Sequence, residues 1–130
     1  PLRRYLGEDL RCCVASDVAG GHTAAMNRNT AAALALSRLR WLDRPEEPPL
    51  TAAEGLYLAT RAPGAFFGKV GAFEPGYAFD ALVLTPGPGD ELAERTPEER
   101  LEQFLYDGDD RNIAARYCGG KLVPKPFAEG

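Results

Sequence analysis

Apolar residues along this chain change their spacing several times, and each change marks an element. Residues 10–15, Leu-Arg-Cys-Cys-Val-Ala, make a short compact run that reads as a buried strand. It is followed at 16–22 by Ser-Asp-Val-Ala-Gly-Gly-His, a glycine turn that leads into a segment rich in Ala and Leu. The spacing there predicts a helix over 25–42, with Ala32, Leu36 and Leu39 on one face. Arg38 and Arg40 fall near its C-terminal end, where cations suit the helix dipole. Ahead of the strand, residues 1–8 read as the end of a helix with Gly7 as its C-cap.

Local signals delimit the rest. The loop 43–50 contains Pro45, Pro48 and Pro49 and cannot be helical throughout. Thr51 with Glu54 has the pattern of a capping box, opening a helix that carries Leu56, Leu58, Ala59 and Thr60 and stops by Pro63-Gly64. A helical turn over 65–67 follows, closed by Gly68. The turn 73–76 precedes a strand over 77–84 with Phe79, Ala81 and Val83 on one face, ended by Pro86-Gly87-Pro88-Gly89. A second capping box, Thr96 with Glu99, has proline at the first helical position and predicts about two turns ending near Tyr106. The strands 113–118 and 121–123 around Gly119-Gly120 read as a hairpin.

Composition narrows the classes. The 130 residues, 45% hydrophobic and 26% charged, are the size and balance of one soluble domain. A net charge of −4 argues against a nucleic-acid partner, since phosphate backbones need a basic surface. No apolar run reaches membrane-spanning length and no signal-peptide h-region stands at the start, so the expected compartment is the cytoplasm, with no membrane partner. Cys12, Cys13 and Cys118 are an odd count with no metal-binding spacing and read as small buried hydrophobes in a reducing compartment.

Asp17 is the leading candidate for chemistry, because α/β barrels keep catalytic groups at the C-terminal ends of their strands. Taken alone, an Asp before Gly-Gly is more often a turn residue. His22, the one histidine, is more often a local hydrogen-bonding residue than a ligand in such a place, and Ser16 reads first as turn chemistry. The run Asp107-Gly108-Asp109-Asp110-Arg111-Asn112 lacks the ligand spacing of a calcium loop and reads as a polar connection. Gly87-Pro88-Gly89 is too short and wrongly placed for a phosphate loop. The His-x-Glu and Pro-Cys-x-x-Cys signature of cytidine-deaminase-type enzymes is absent. No Ser or Cys nucleophile has a histidine partner other than His22.

Longer blocks carry a resemblance. Ser-Asp-Val-Ala-Gly-Gly-His at 16–22, Ser-Arg-Leu-Arg-Trp at 37–41, Pro-Leu-Thr at 49–51 and Leu-Ala-Thr at 58–60 resemble the guanine deaminase family of amidohydrolases. So do Phe-Phe-Gly-Lys-Val-Gly at 66–71, Phe-Asp-Ala-Leu-Val-Leu at 79–84, Phe-Leu-Tyr at 104–106, Gly-Asp-Asp-Arg-Asn-Ile at 108–113 and Tyr-Cys-Gly-Gly-Lys at 117–121. The resemblance implies an α/β fold: the C-terminal portion of a metal-dependent (β/α)₈ barrel hydrolase with the C-terminal strands of an accessory β-sandwich. Residues 1–68 would be the last β/α unit with its following helices, and 69–130 the share of the sandwich with a helix and a hairpin. It further implies zinc as cofactor, with Asp17 as both metal ligand and catalytic carboxylate, and guanine as the substrate deaminated to xanthine. The partner implied is the N-terminal part of the barrel, in an intact enzyme that is a homodimer. The chain alone is expected to be inactive, since the family's histidine ligands belong to that other part.

Two other readings stay open. Cys12, Cys13 and Ala15 replace a glycine-containing strand, and Ala24, Ala25 and Asn27 alter the following loop, as a noncatalytic structural or interaction module allows. An amidohydrolase acting on another aminated or halogenated ring is the third.

Overall fold

The computed structural model describes residues 2–87 and 94–124. Five helices and three strands are present among them: α1 (Leu2–Gly7), α2 (Met26–Asp43), α3 (Ala52–Ala59), α4 (Arg61–Phe67), β1 (Ala81–Leu84), α5 (Pro97–Asp107), β2 (Ile113–Cys118) and β3 (Lys121–Val123), with a 3₁₀ turn at Asp110–Asn112. The mixed α/β expectation holds. Pro88 and Gly89, part of the stretch expected to end the strand over 77–84, lie outside the described residues.

Both capping boxes form. Thr51 accepts from the Glu54 backbone N–H while Glu54 accepts from that of Thr51, and Thr96 and Glu99 repeat the exchange at α5. Each satisfies two backbone donors that a helix start otherwise leaves unpaired. With Pro97 at its head, α5 runs three turns rather than two, to Asp107. The helix predicted to open at Thr51 breaks at Thr60 into α3 and α4 before reaching Pro63, and Gly68, at φ 114°, ends α4.

The sheet is antiparallel in the order β1-β2-β3. Ala81 faces Tyr117 and Val83 faces Ala115, with an irregularity after Val83 that sets Leu84 opposite Ile113. Gly119 and Gly120, at φ 55° and 78°, turn the β2–β3 hairpin as a two-residue loop with both central residues left-handed. Phe79 stacks between Phe73 and Tyr117, with ring centroids 5.9 and 5.6 Å away.

Leu34, Leu50, Leu58 and Leu105 form the core where α2, α3 and α5 meet. Gly55 lets α3 close on α2, since a Cβ there would stand 3.0 Å from Thr30 Cγ2 and 3.1 Å from Leu34 Cδ2. The buried face of α2 is Asn29, Thr30 and Leu34, not the predicted Ala32, Leu36 and Leu39; Leu36 and Leu39 are 65% and 60% exposed. Apolar residues surround this helix, so their spacing alone does not select a side. The two polar residues are tolerated inside because Thr30 Oγ1 donates to the Met26 carbonyl at 2.7 Å and Asn29 Nδ2 to that of Thr23 at 3.0 Å.

Two further expectations are corrected. Gly7 is the last helical residue of α1, and Asp9, at φ 53°, takes the left-handed position beyond it. Residues 10–15 are extended but belong to no sheet. Cys12, Val14 and Ser16 turn inward in alternation, and Val14 N–H donates to the Leu58 carbonyl at 2.9 Å. A parallel strand needs a neighbouring strand for its ladder, and none flanks this arm among the described residues. No described helix is long and apolar enough to cross a membrane.

An ion-pair knot ties α1 to α3. Arg3 holds both Glu54 oxygens at 2.5 and 2.6 Å while donating to the Pro48 and Pro49 carbonyls. The Arg3 guanidinium, aided by the Thr51 backbone N–H and hydroxyl, holds the Glu54 carboxyl below the usual carboxylate range against the opposing effect of burial. A carboxyl whose pKa is lowered by folding stabilises the fold above its unfolded pKa of about 4.3. That contribution is lost as pH falls through the lower folded value. Arg3→Ala therefore shrinks the drop in urea midpoint between pH 6 and pH 3; an unchanged drop contradicts this role.

Candidate functional site

The arm 10–15 delivers Asp17 to the surface. Ser16 is half-buried and Asp17 exposed, and at Asp17 the chain enters the left-handed region, φ 46°. Ala19 lies there too, at φ 79°. Left-handed backbone is uncommon outside glycine, and two such residues this close make a sharply folded turn. The Asp17 carbonyl closes it by accepting from Gly20 N–H at 2.8 Å and Gly21 N–H at 2.5 Å. Beyond it, Thr23 Oγ1 accepts from Ala25 N–H and the Thr23 carbonyl from Asn29, which fastens the turn to the start of α2.

The Asp17 carboxylate is engaged by no hydrogen bond or ion pair with a described residue. Both carboxylate oxygens are therefore open to a partner from outside the described residues. The donor set around it is thin. No group of three His, Cys, Asp or Glu side chains converges anywhere among the described residues. A catalytic zinc takes three protein ligands; Asp17 fits as one, and His22, exposed in the loop, joins no ligand cluster with it.

The cysteines do not join the site. Cys12 packs against the core as expected, but Cys13 and Cys118 are exposed rather than buried, all three as free thiols. Cys13 follows the outward phase of the arm's alternation.

The run 107–112 is the polar connection its composition implies, and its side chains tie it together. Asp109 accepts from Arg111 N–H and grips its guanidinium, which with that N–H holds the Asp109 carboxyl below its ordinary range. Asn112 Nδ2 donates to the Thr85 carbonyl at 3.2 Å, and Thr85 N–H to that of Asn112 at 2.8 Å. This block locks α5 to the end of β1. Asn27, which reads in the sequence only as a loop change, donates to the Gly108 carbonyl at 2.7 Å and the Phe104 carbonyl at 3.3 Å, capping α5 from α2. Partners 77 and 81 positions away leave no signal in local spacing. A groove of about 1010 Å³ between the end of β1 and α5, lined by Leu84, Arg100, Phe104 and Arg111, does not include Asp17.

Residues 1–123, including the Asp17 turn and the 108–113 block, match the sequence profile described as the amidohydrolase family. The chain belongs to the amidohydrolase family. Curated relatives of this amidohydrolase chain are guanine deaminases. The human protein is 32% identical, over 95% of this chain and 29% of its own length. That of Mus musculus is 35% identical, over 87% and 27%. Among solved structures, a guanine deaminase from C. acetobutylicum with guanine bound in the active site matches with a TM-score of 0.85 and 40% identity. The match covers 95% of this chain and 29% of that one. E. coli guanine deaminase matches with a TM-score of 0.79 and 25% identity, over 97% and 30%. The chain thus spans under a third of the proteins it resembles.

Proposed function

We propose that this chain is the C-terminal part of a zinc-dependent guanine deaminase, in which Asp17 is a metal ligand and the carboxylate that handles the proton of the attacking water. What chiefly supports the reading is likeness, over 95% of the chain, to a guanine deaminase structure with guanine in its active site. The exposed, unengaged carboxylate at the end of an extended arm suits the role. In this reading residues 1–68 contribute the last β/α unit of a (β/α)₈ barrel with its helices, and 69–130 a share of the accessory β-sandwich.

The reaction adds water at the ring carbon that bears the exocyclic amine, breaks that carbon–nitrogen bond and releases ammonia, leaving xanthine. When bound, zinc supplies the acidity that makes the attacking water a nucleophile near neutral pH. Asp17 accepts the proton of that water at a carboxylate oxygen and passes it to the departing amine, which needs a proton to leave as ammonia. Two hydrogen bonds to the Asp17 carbonyl close the turn, which leaves the carboxylate's position to the two torsions of its own side chain.

Catalysis in this reading needs the rest of the barrel, which supplies the other ligands and the purine pocket. That part would cover Leu36, Leu39, Leu42, Phe66 and Phe67, all exposed here. A homodimer is proposed for the complete enzyme. Cytoplasmic placement is proposed as well, in keeping with three free thiols. Purified alone with added zinc, the 130-residue chain is expected to release no ammonia from guanine and form no xanthine. Turnover by the chain alone overturns the claim that the other part is needed.

A further inference from the structure

The residues of the Asp17 turn are not placed as backbone conformation would ask. Ala19 occupies φ 79°, where glycine would be easier, while Gly20 and Gly21 both lie outside the left-handed region. Neither glycine is there for its φ. What each provides is the absence of a Cβ, and the two absences serve different neighbours.

At Gly21 a Cβ would overlap the Ser16 carbonyl oxygen, a backbone atom with no freedom to yield while the turn stays closed. A Cβ at Gly20 would instead meet the Asp17 side chain first, 2.8 Å from Oδ2 and 3.3 Å from Cγ. The Asp17 carbonyl oxygen would stand at an ordinary 3.6 Å from that Cβ. A methyl group at 20 thus meets the free end of a two-torsion side chain, and that end is what must move.

The geometry points to Gly20 as a positioning residue for the Asp17 carboxylate: lacking a Cβ, it keeps open the rotamer in which Oδ2 lies against the turn. Gly21, by contrast, serves the fold of the turn. The inference rests on the proposed role of Asp17 only for its catalytic consequence; the steric relation stands on the chain alone. Misplacing a reacting group by about 1 Å costs on the order of 10²-fold in rate.

The test is made on the 130-residue chain by NMR, reading the χ1 rotamer of Asp17 from three-bond N–Cγ and C′–Cγ couplings. Wild type is expected to show one dominant rotamer. Gly20→Ala is expected to shift the Asp17 couplings to another rotamer while the amide spectrum outside 16–22 and the thermal midpoint stay in place. Gly21→Ala is expected to lose the turn's amide pattern. A wild-type carboxylate averaged among rotamers, couplings unchanged in Gly20→Ala, or loss of the turn in Gly20→Ala each overturns the inference. In an active assembly with the N-terminal barrel part, Gly20→Ala lowers kcat on the order of 10²-fold with KM nearly unchanged. Retained activity in Asp17→Asn there removes the role of Asp17 and leaves the coupling result on Gly20 intact.

Discussion

Asp17→Asn, in an assembly of this chain with the N-terminal part of the barrel, lowers guanine deamination by about 10² to 10⁴-fold, the usual worth of one acid–base group, and further if zinc is lost. The amide keeps the shape of the side chain but has no charge and too little basicity to take the proton of the attacking water. The substitution is structurally silent, because the carboxylate is exposed and makes no hydrogen bond or ion pair with any described residue. Thermal unfolding of the chain therefore stays where it was, and the loss falls on kcat together with bound zinc. Activity within a few-fold of wild type would show that the proton and the metal are handled elsewhere. A large fall in thermal midpoint would show that Asp17 serves the turn.

Leu58→Ala is expected to have the largest effect on folding. Leu58 is 0% exposed at the centre of the leucine core, against which Cys12 and Val14 of the Asp17 arm also pack, so its side chain seats that arm as well as filling space. Truncating a buried leucine costs about 2–5 kcal/mol through lost transfer energy and the cavity left behind. The total stability of a domain is about 5–15 kcal/mol, and this core rests on four leucines. A fall in urea midpoint large enough to populate unfolded chain at room temperature is the expected result. Leu36→Ala on the exposed side of α2 should stay within about 0.5 kcal/mol. Equal costs at the two positions would mean that α2 buries the Leu36 face after all.

The contrast between those two leucines marks where sequence reasoning succeeds. Capping boxes at Thr51 and Thr96 and the Gly119-Gly120 hairpin are local chemistry, settled by residues within four positions of one another, and all were legible. The buried face of α2 was not, because apolar residues encircle that helix and the choice depends on α3 and α5 from elsewhere in the chain. The arm 10–15 has the composition of a buried strand, yet a strand also needs a neighbour to pair with. Asp17 was legible as a carboxylate at the junction of arm and glycine turn. Its left-handed φ, shared with Ala19, was not, since neither residue type demands that conformation. Asn27 was invisible as a cap for the same reason that α2 was ambiguous: its partners are far along the chain.

The central claim is that this chain completes a guanine deaminase. The most direct test mixes it with the N-terminal part of a related guanine deaminase, adds zinc, and follows ammonia and xanthine formation from guanine, with each part alone as control. The account predicts turnover in the mixture and none in either part. A mixture that forms a stable, folded, zinc-containing complex and still leaves guanine intact would contradict it.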